Sequence, residues 1–357
     1  MEELKGLVLS GGAGTRLRPL THTSAKQLVP VANKPVLFYG LEALRDAGIR
    51  QVGIIVGDTR AEIEEAVGDG SRFGLEITII PQSAPLGLAH AVLTAEEFLG
   101  DSSFVMYLGD NLLRDGITGL VEEFRATAPD AMILLQHVDA PEHYGIAELD
   151  GDTVVRLVEK PKNPMSDLAL VGVYLFTHGI IESAKAISPS WRNELEITDA
   201  IQNMVDRGLR VEPHIVSGWW KDTGQVGDML EANRLILDVQ RRRIDGDVDD
   251  ESIIDGRVVI EAGAKVVRST VRGPAVIGAG SVIEDAYVGP YSAISDNCHV
   301  SHAEIEHSIL WEGSSIRDLD ARVESSLIGR EVSIGRTDEK PRAYRFILGD
   351  SSTIGLT

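Results

Sequence analysis

From Val276 onward, apolar residues return on a six-residue clock: Val276, Val282, Val288, Ile294 and Val300, then Leu310, Ile316, Ile328 and Ile334 after a small slip of phase. Gly, Ala and Ser crowd the positions between them. A β-sandwich would instead alternate with a period of two. A period of six with small turn residues is the pattern of a left-handed parallel β-helix, each coil being three short strands. Such a stack has open ends and flat faces, so assembly through this region is expected. The acidic, helix-poor stretch RIDGDVDDESIIDG (243–256) reads as the boundary, which predicts domains of 1–243 and 244–357.

Residues 1–240 have a different texture. Strand-like apolar runs at Leu7–Leu9, Val52–Val56, Ile77–Ile80, Phe104–Leu108 and Met132–Leu135 alternate with helical patterns at Val36–Ala47, Ala61–Val67, Leu88–Phe98 and Thr118–Ala126. Short, continuous apolar strands between helices predict an α/β, Rossmann-like, mostly parallel sheet covered on both faces. GIAELDGDTVVRLVEKP reads as a hairpin turning at Asp150-Gly151, and Val226–Arg243 as a closing helix.

At 357 residues and 43% apolar content, two domains are affordable. Cys298 is the single cysteine, which excludes an intramolecular disulfide and a cysteine-based zinc site. The start carries no basic or cleavable apolar segment, and no run approaches the roughly 18 residues of a membrane helix, so a cytoplasmic setting is expected. A formal charge of −21 argues against nucleic acid or an anionic membrane as partner.

Against that acidity stands a cationic island. Between Leu4 and Leu41 there is no acidic residue, but Lys5, Arg16, Arg18, Lys26 and Lys34 all occur. Within it, LSGGAGTRLRP (9–19) places Gly11, Gly12 and Gly14 directly after a strand. It is not a dinucleotide fingerprint, because Leu17 stands where the third glycine belongs. Nor is it a Walker A loop, because Thr15 and Arg16 follow Gly14. Successive glycine N–H groups can still cradle a phosphate. A plain turn is the bland alternative.

The stretch Gly11–Pro35 resembles the signature of the sugar-1-phosphate nucleotidyltransferase family, and PQSAPLGLAHA, LGDN, YGIAELD, EKP, ELEITD and WWKDTG extend the resemblance across residues 1–240. The subgroup it is most similar to transfers thymidylyl groups and carries a C-terminal left-handed β-helix. The resemblance implies that dTTP and glucose 1-phosphate give dTDP-glucose and pyrophosphate, with Mg2+ as cofactor. Elementary physics agrees. A sugar-phosphate oxygen is ionised near neutral pH and needs no general base, but two anions must be brought together. Each unit-charge pair at about 4 Å repels by roughly 4 kcal/mol at an effective dielectric of about 20. Catalysis therefore calls for positioning and charge neutralisation.

The residues expected to supply them follow from the motifs. Gly11, Gly12, Gly14 and Thr15 would cradle the nucleotide phosphates, while Arg16 and Lys26 would neutralise the triphosphate and the leaving pyrophosphate. Asp110, just past a buried strand, and Asp222 in WWKDTG would hold magnesium, which takes one or two carboxylates plus phosphate oxygens. An N-cap or turn role is the alternative for both. By resemblance, Gln27 and Gln82 contact the base near Gly87; an amide suits an imide edge but separates thymine from uracil poorly. Tyr144, Gly145, Glu159, Lys160 and Val171, with Arg192 and Glu194, carry over as sugar-phosphate contacts, Lys160 neutralising the attacking phosphate. Trp219 and Trp220 suit either a platform near the metal or the core.

Cys298, His299, His302 and His307 invite a metal or catalytic reading, but coil histidines are mostly exposed and inert. Assembly into a homo-oligomer, or regulation, is the expected task of the β-helix. Rival readings are the same chemistry with UTP or an amino- or acetylamino-sugar phosphate, and a non-catalytic subunit that binds nucleotide sugar.

Overall fold

The short apolar runs become strands because nearly every side chain along them is buried on one sheet face or the other. The structure, a computed structural model, describes residues 4–12, 14–336, 344 and 346–356, which belong to two compact units. One comprises residues 1–13 with 36–222, the other 14–35 with 223–357.

The first unit is built on a nine-stranded sheet. Its strands are β1 (Lys5–Ser10), β2 (Gln51–Val56), β3 (Glu76–Pro81), β4 (Phe104–Leu108), β5 (Ala131–His137), β6 (Gly145–Asp150), β7 (Thr153–Glu159), β8 (Leu168–Phe176) and β9 (Val211–Ile215). The spatial order is β7-β6-β8-β4-β1-β2-β3, with β5 also on β8 and β9 on β5. β1 lies parallel to both β2 and β4, with Leu7 opposite Gly53 and Met106. Helix Val36–Asp46 covers one face, where Leu44 fills the space a Cβ at Gly6 would need. Leu7, Leu9, Phe104 and Met106 face the other way, into a core shared with the helices Leu88–Thr94 and Ile197–Asp206. Each such buried side chain contributes about 1.5–3 kcal/mol.

The sheet is parallel from β3 to β4 and antiparallel at β8. β8 was not among the expected strands. It is buried throughout and lacks the alternation that would announce it. In the hairpin, Asp150 pairs with Thr153, so Gly151-Asp152 is the turn rather than Asp150-Gly151.

The second unit contains three parallel sheets of six, six and five strands, stacked as a β-helix. The closing helix ends at Val239, and Arg243–Ile244 is already the first strand of the stack. The six-residue clock is right in rhythm and partly wrong in phase. Ile277, Ile283, Val288, Ile294 and Val300 fill the interior. Val276 points outward, packing with Ala293 and Ile309 against Leu230 and Leu237 of the helix Val226–Val239. Val282 is likewise not part of the interior, since Ile283 occupies that place. Coils turn between their first and second sheets on a left-handed residue: Gly263 (φ 82°), Gly280 (70°), Asn297 (56°), Gly313 (71°) and Glu331 (56°). Glycine and asparagine adopt this conformation at least cost.

Residues 14–35 lie with this unit. The Ala32 N–H donates to Asn233 Oδ1 at 2.9 Å, Asn233 Nδ2 donates to the Tyr291 carbonyl at 2.8 Å, and Asn33 Nδ2 donates to the Ile294 carbonyl at 2.6 Å. No helix among the described residues is long and apolar enough to cross a membrane.

Candidate active site

Adjacent parallel strands β1 and β4 end side by side, tied where the Gly109 N–H donates to the Leu9 carbonyl at 2.9 Å. Asp110 follows and is 8% exposed. The chain then forms a short strand, Asn111–Leu113, antiparallel to Trp220–Asp222, with Asp222 opposite Asn111. That register brings the two predicted carboxylates to neighbouring positions from far apart in the sequence. Asn111 braces Asp110: its Nδ2 donates to Asp110 Oδ1 at 2.9 Å, and its Oδ1 accepts the Trp220 indole N–H. Trp220 in turn meets the Tyr144 ring edge-on, with centroids 5.6 Å apart. At Gly172 a Cβ would lie 2.8 Å from Asn111 Oδ1, so this brace needs glycine there.

The sugar-side residues sit at the foot of the hairpin. Gly145 pairs with Glu159, and the Lys160 N–H donates to the Tyr144 carbonyl at 2.9 Å. A Cβ at Gly145 would fall 2.7 Å from Thr198 Oγ1 and 3.0 Å from Glu159 Oε2. Thr198 donates to Glu159 Oε2 at 2.8 Å, Lys160 Nζ is 3.8 Å from Oε1, and Arg192 is 3.5 Å away. Burial pushes the Glu159 carboxyl above its ordinary range, and nearby Glu196 adds to this, whereas Thr198, Lys160 and Arg192 pull it down. Arg192 is shared among Glu159, Glu194 at 3.0 Å and Glu196 at 2.8 Å. The hydrogen bonds it donates to the buried Glu196, then the neighbouring carboxylates, push its own pKa up. Arg192 is thus a clamp on carboxylates. Val171 is buried where the β8 ladder to β5 breaks between Leu170 and Tyr174.

A third group surrounds Gln82. A Cβ at Gly11 would be 3.4 Å from Gln82 Oε1, so the glycine loop passes beside this amide. Gln82 Nε2 donates to His90 Nδ1 at 2.9 Å, which fixes the amide and requires a bare Nδ1 on His90. Gly87 has φ 102°, and a Cβ there would strike the Leu195 carbonyl oxygen at 2.4 Å. Its glycine is therefore demanded by backbone packing, with Leu195 N–H donating to Leu86 and Ala89 N–H donating to Leu195.

The remaining predicted residues lie in the second unit. Gly14 has φ 61°, its carbonyl accepts the Thr21 hydroxyl at 2.6 Å, and a Cβ on it would approach Lys26 Cβ to 3.0 Å. Gly14 thus lets Lys26 fold back against the turn that carries Thr15 and Arg16, both exposed. Gln27 is 1% exposed, and its Oε1 accepts no hydrogen bond from the described residues.

Gly12 is exposed at the end of the same loop as Gly11. No grouping of three or more His, Cys, Asp or Glu suited to a metal occurs among the described residues. Asp110 and Asp222 stand at neighbouring backbone positions, and two carboxylates supply the kind of oxygen ligand that a hard cation takes together with phosphate and water. Cys298 is buried, and burial pushes its thiol up to about 11, so it is no nucleophile. His302 faces Asp285 and Asp318 on the coil surface.

A nucleotidyl transferase family model matches residues 5–239. The chain belongs to the nucleotidyl transferase family. Within that family it is similar to glucose-1-phosphate thymidylyltransferases of Streptomyces antibioticus, 56% identical over 99% of both chains, and Streptomyces griseus, 57% identical over 98% of both. It is also similar to a low-salt glycan biosynthesis nucleotidyltransferase of Haloferax volcanii, 46% identical over 99% of this chain and 100% of the other. Among solved structures, it resembles a candidate glucose-1-phosphate thymidylyltransferase from Bacillus anthracis in complex with a sucrose. That likeness has a TM-score of 0.63 and 35% identity, covering 67% of this chain and 98% of the other.

Sequence reasoning missed His90, Asn111, Glu196 and Thr198 as working residues. Asn111 lies in LGDN, and Glu196 and Thr198 in ELEITD, so the motifs contain them. His90 lies in PQSAPLGLAHA, one helical turn beyond Gly87.

Proposed function

We propose that this chain is a glucose-1-phosphate thymidylyltransferase, joining dTTP and α-D-glucose 1-phosphate into dTDP-glucose with release of pyrophosphate. A phosphate oxygen of the sugar phosphate forms a bond to the α-phosphorus as the bond from that phosphorus to the pyrophosphate oxygen breaks. The observation that carries the reading is the ladder that makes Asp110 and Asp222 neighbours at the carboxyl ends of β1 and β4. Open α/β sheets bind ligands at such ends. In this reading those two residues hold Mg2+, which supplies charge neutralisation on the phosphates.

The protein's own groups do the rest. Glu159, anchored by Thr198, accepts hydrogen bonds from sugar hydroxyls, and Lys160 offsets the charge of the attacking phosphate. Arg192 acts through Glu159 and Glu196 and not directly on phosphate. Arg16 and Lys26 meet the triphosphate, with Gly11, Gly12, Gly14 and Thr15 offering backbone N–H groups. Gln82, held by His90, supplies an amide of the kind that an imide edge requires, and Gln27 offers a buried Oε1 with no donor among the described residues. The catalytic part is assigned to residues 1–243 and the β-helix to 244–357, with a second copy of the chain as its assembly partner.

Pyrophosphate release measured with four nucleoside triphosphates against several sugar 1-phosphates tests the reading. Preference for dTTP with glucose 1-phosphate is expected. Preference for UTP overturns the base assignment, and absence of release with every pair overturns the reaction.

A further inference from the structure

The last described segment repeats the coil pattern. Ile347–Gly355 (ILGDSSTIG) matches Leu327–Gly335 (LIGREVSIG), Ile309–Arg317 (ILWEGSSIR) and Val276–Glu284 (VIGAGSVIE) position for position. Its backbone has the coil turn already. Ser351 has φ 66°, at the place where Gly263, Gly280, Asn297, Gly313 and Glu331 are also left-handed. The Ser352 N–H donates to the Gly349 carbonyl at 3.4 Å, as Ser281 does to Gly278 at 3.3 Å in an earlier coil.

What it lacks is a stack to sit on. Leu348 stands where Ile277, Ile294 and Leu310 are fully buried, and Ile354 where Ile283, Val300 and Ile316 are, yet they are 56% and 46% exposed. Ile347 is wholly exposed, with no cover from the described residues of its own chain. An unpaired coil waits at the other side of the match. Leu327–Ile328 and Ser333–Gly335 each pair with one neighbour only and terminate their sheets. Open ends of stacked repeats need a cap.

We propose that Ile347–Gly355 seats as an additional parallel coil on the Leu327–Gly335 end of a second copy of this chain. The register follows the repeat: Leu348 beside Ile328, Ile354 beside Ile334, and Thr353 extending the outward column in which Ser315 Oγ donates to Ser333 Oγ at 3.2 Å. Asp350 falls in the turn position of Arg330, whose guanidinium lies over Trp311 at 4.5 Å. Exchange of one identical element is a low-cost route to assembly. The inference does not depend on the substrate assigned above.

The test uses the full-length protein, in which Cys298 is buried and unreactive. Differently tagged Ser333→Cys and Thr353→Cys chains are co-expressed and treated with a short bis-maleimide. A covalent heterodimer carrying both tags is expected. If linkage occurs only within a Ser333→Cys/Thr353→Cys double variant that stays monomeric on a denaturing gel, or in no sample, the proposal is overturned. As a second measurement, Leu348→Asp/Ile354→Asp changes side chains that are exposed in the single chain, so its own fold is spared. Its mass by light scattering is expected to fall at least twofold from wild type, and an unchanged mass overturns the proposal.

Discussion

At the strand ends of the sheet unit, consecutive residues do unrelated work: Gly109 ties two strands, Asp110 offers a carboxylate and Asn111 braces it. In the coil unit, Ile260, Ile277, Ile294, Leu310 and Ile328 repeat one task, each stacked in register on the last and buried. Irregular backbone is where this chain concentrates its chemistry, and periodic backbone is where it concentrates apolar burial. Substitutions in the two regions should therefore fail in different ways.

The sharpest contrast is expected at Asp110. Asp110→Asn should lower kcat/KM by about 10³-fold, the scale of losing a preorganised charged group. Its denaturation midpoint should stay at the wild-type value; a matching loss of stability would erase the distinction between the regions. The converse case is Ile283→Ala in the coil interior. Deleting most of this fully buried side chain should cost about 3 kcal/mol in denaturant-induced unfolding followed by circular dichroism. Because Ile283 packs inside the coil stack, steady-state kinetics of the folded fraction should match wild type.

Smaller effects refine the picture within the sheet unit. His90→Phe removes the acceptor that orients Gln82. It should raise KM for the nucleoside triphosphate about tenfold, as expected for one lost hydrogen bond, with KM for the sugar phosphate unchanged. The smallest expected change is at Thr198. Its hydroxyl favours ionised Glu159, whose pKa burial already raises. As pH falls, Glu159 protonates and stops accepting, so activity is lost from the acid side. Thr198→Val removes a contribution that lowers the pKa, and the acid limb of kcat/KM should move to higher pH with its plateau unchanged. A shift to lower pH would contradict the assignment.

Much of this was legible from residues alone. Strands β1 to β4 were visible as compact apolar runs, and the β-helix as a rhythm. The phase of that rhythm was not, because Val276 and Ile277 are both apolar and only the helix Val226–Val239, packed outside the coil, makes the outer one buried as well. β8 escaped notice for a related reason: a strand buried on both faces has no alternation to read. Asp110 and Asp222 could be nominated from strand position and motif, but their adjacency is a matter of register across an antiparallel pair. Arg192 illustrates the opposite limit. The resemblance made it a sugar-phosphate contact, but nothing in the sequence showed that carboxylates of Glu159, Glu194 and Glu196 would surround it.

The hydrogen bonds that Ala32 and Asn33 make to Asn233 and the Ile294 carbonyl bear on how the gene can be divided. Truncation after residue 243 looks harmless on paper, since every motif up to WWKDTG is retained. It would nevertheless strip the segment bearing Arg16 and Lys26 of part of the floor it rests on. A shortened clone should thus keep the sheet while residues 14–35 lose the Ile294 carbonyl they rest on, so the coils also serve as a floor for that segment.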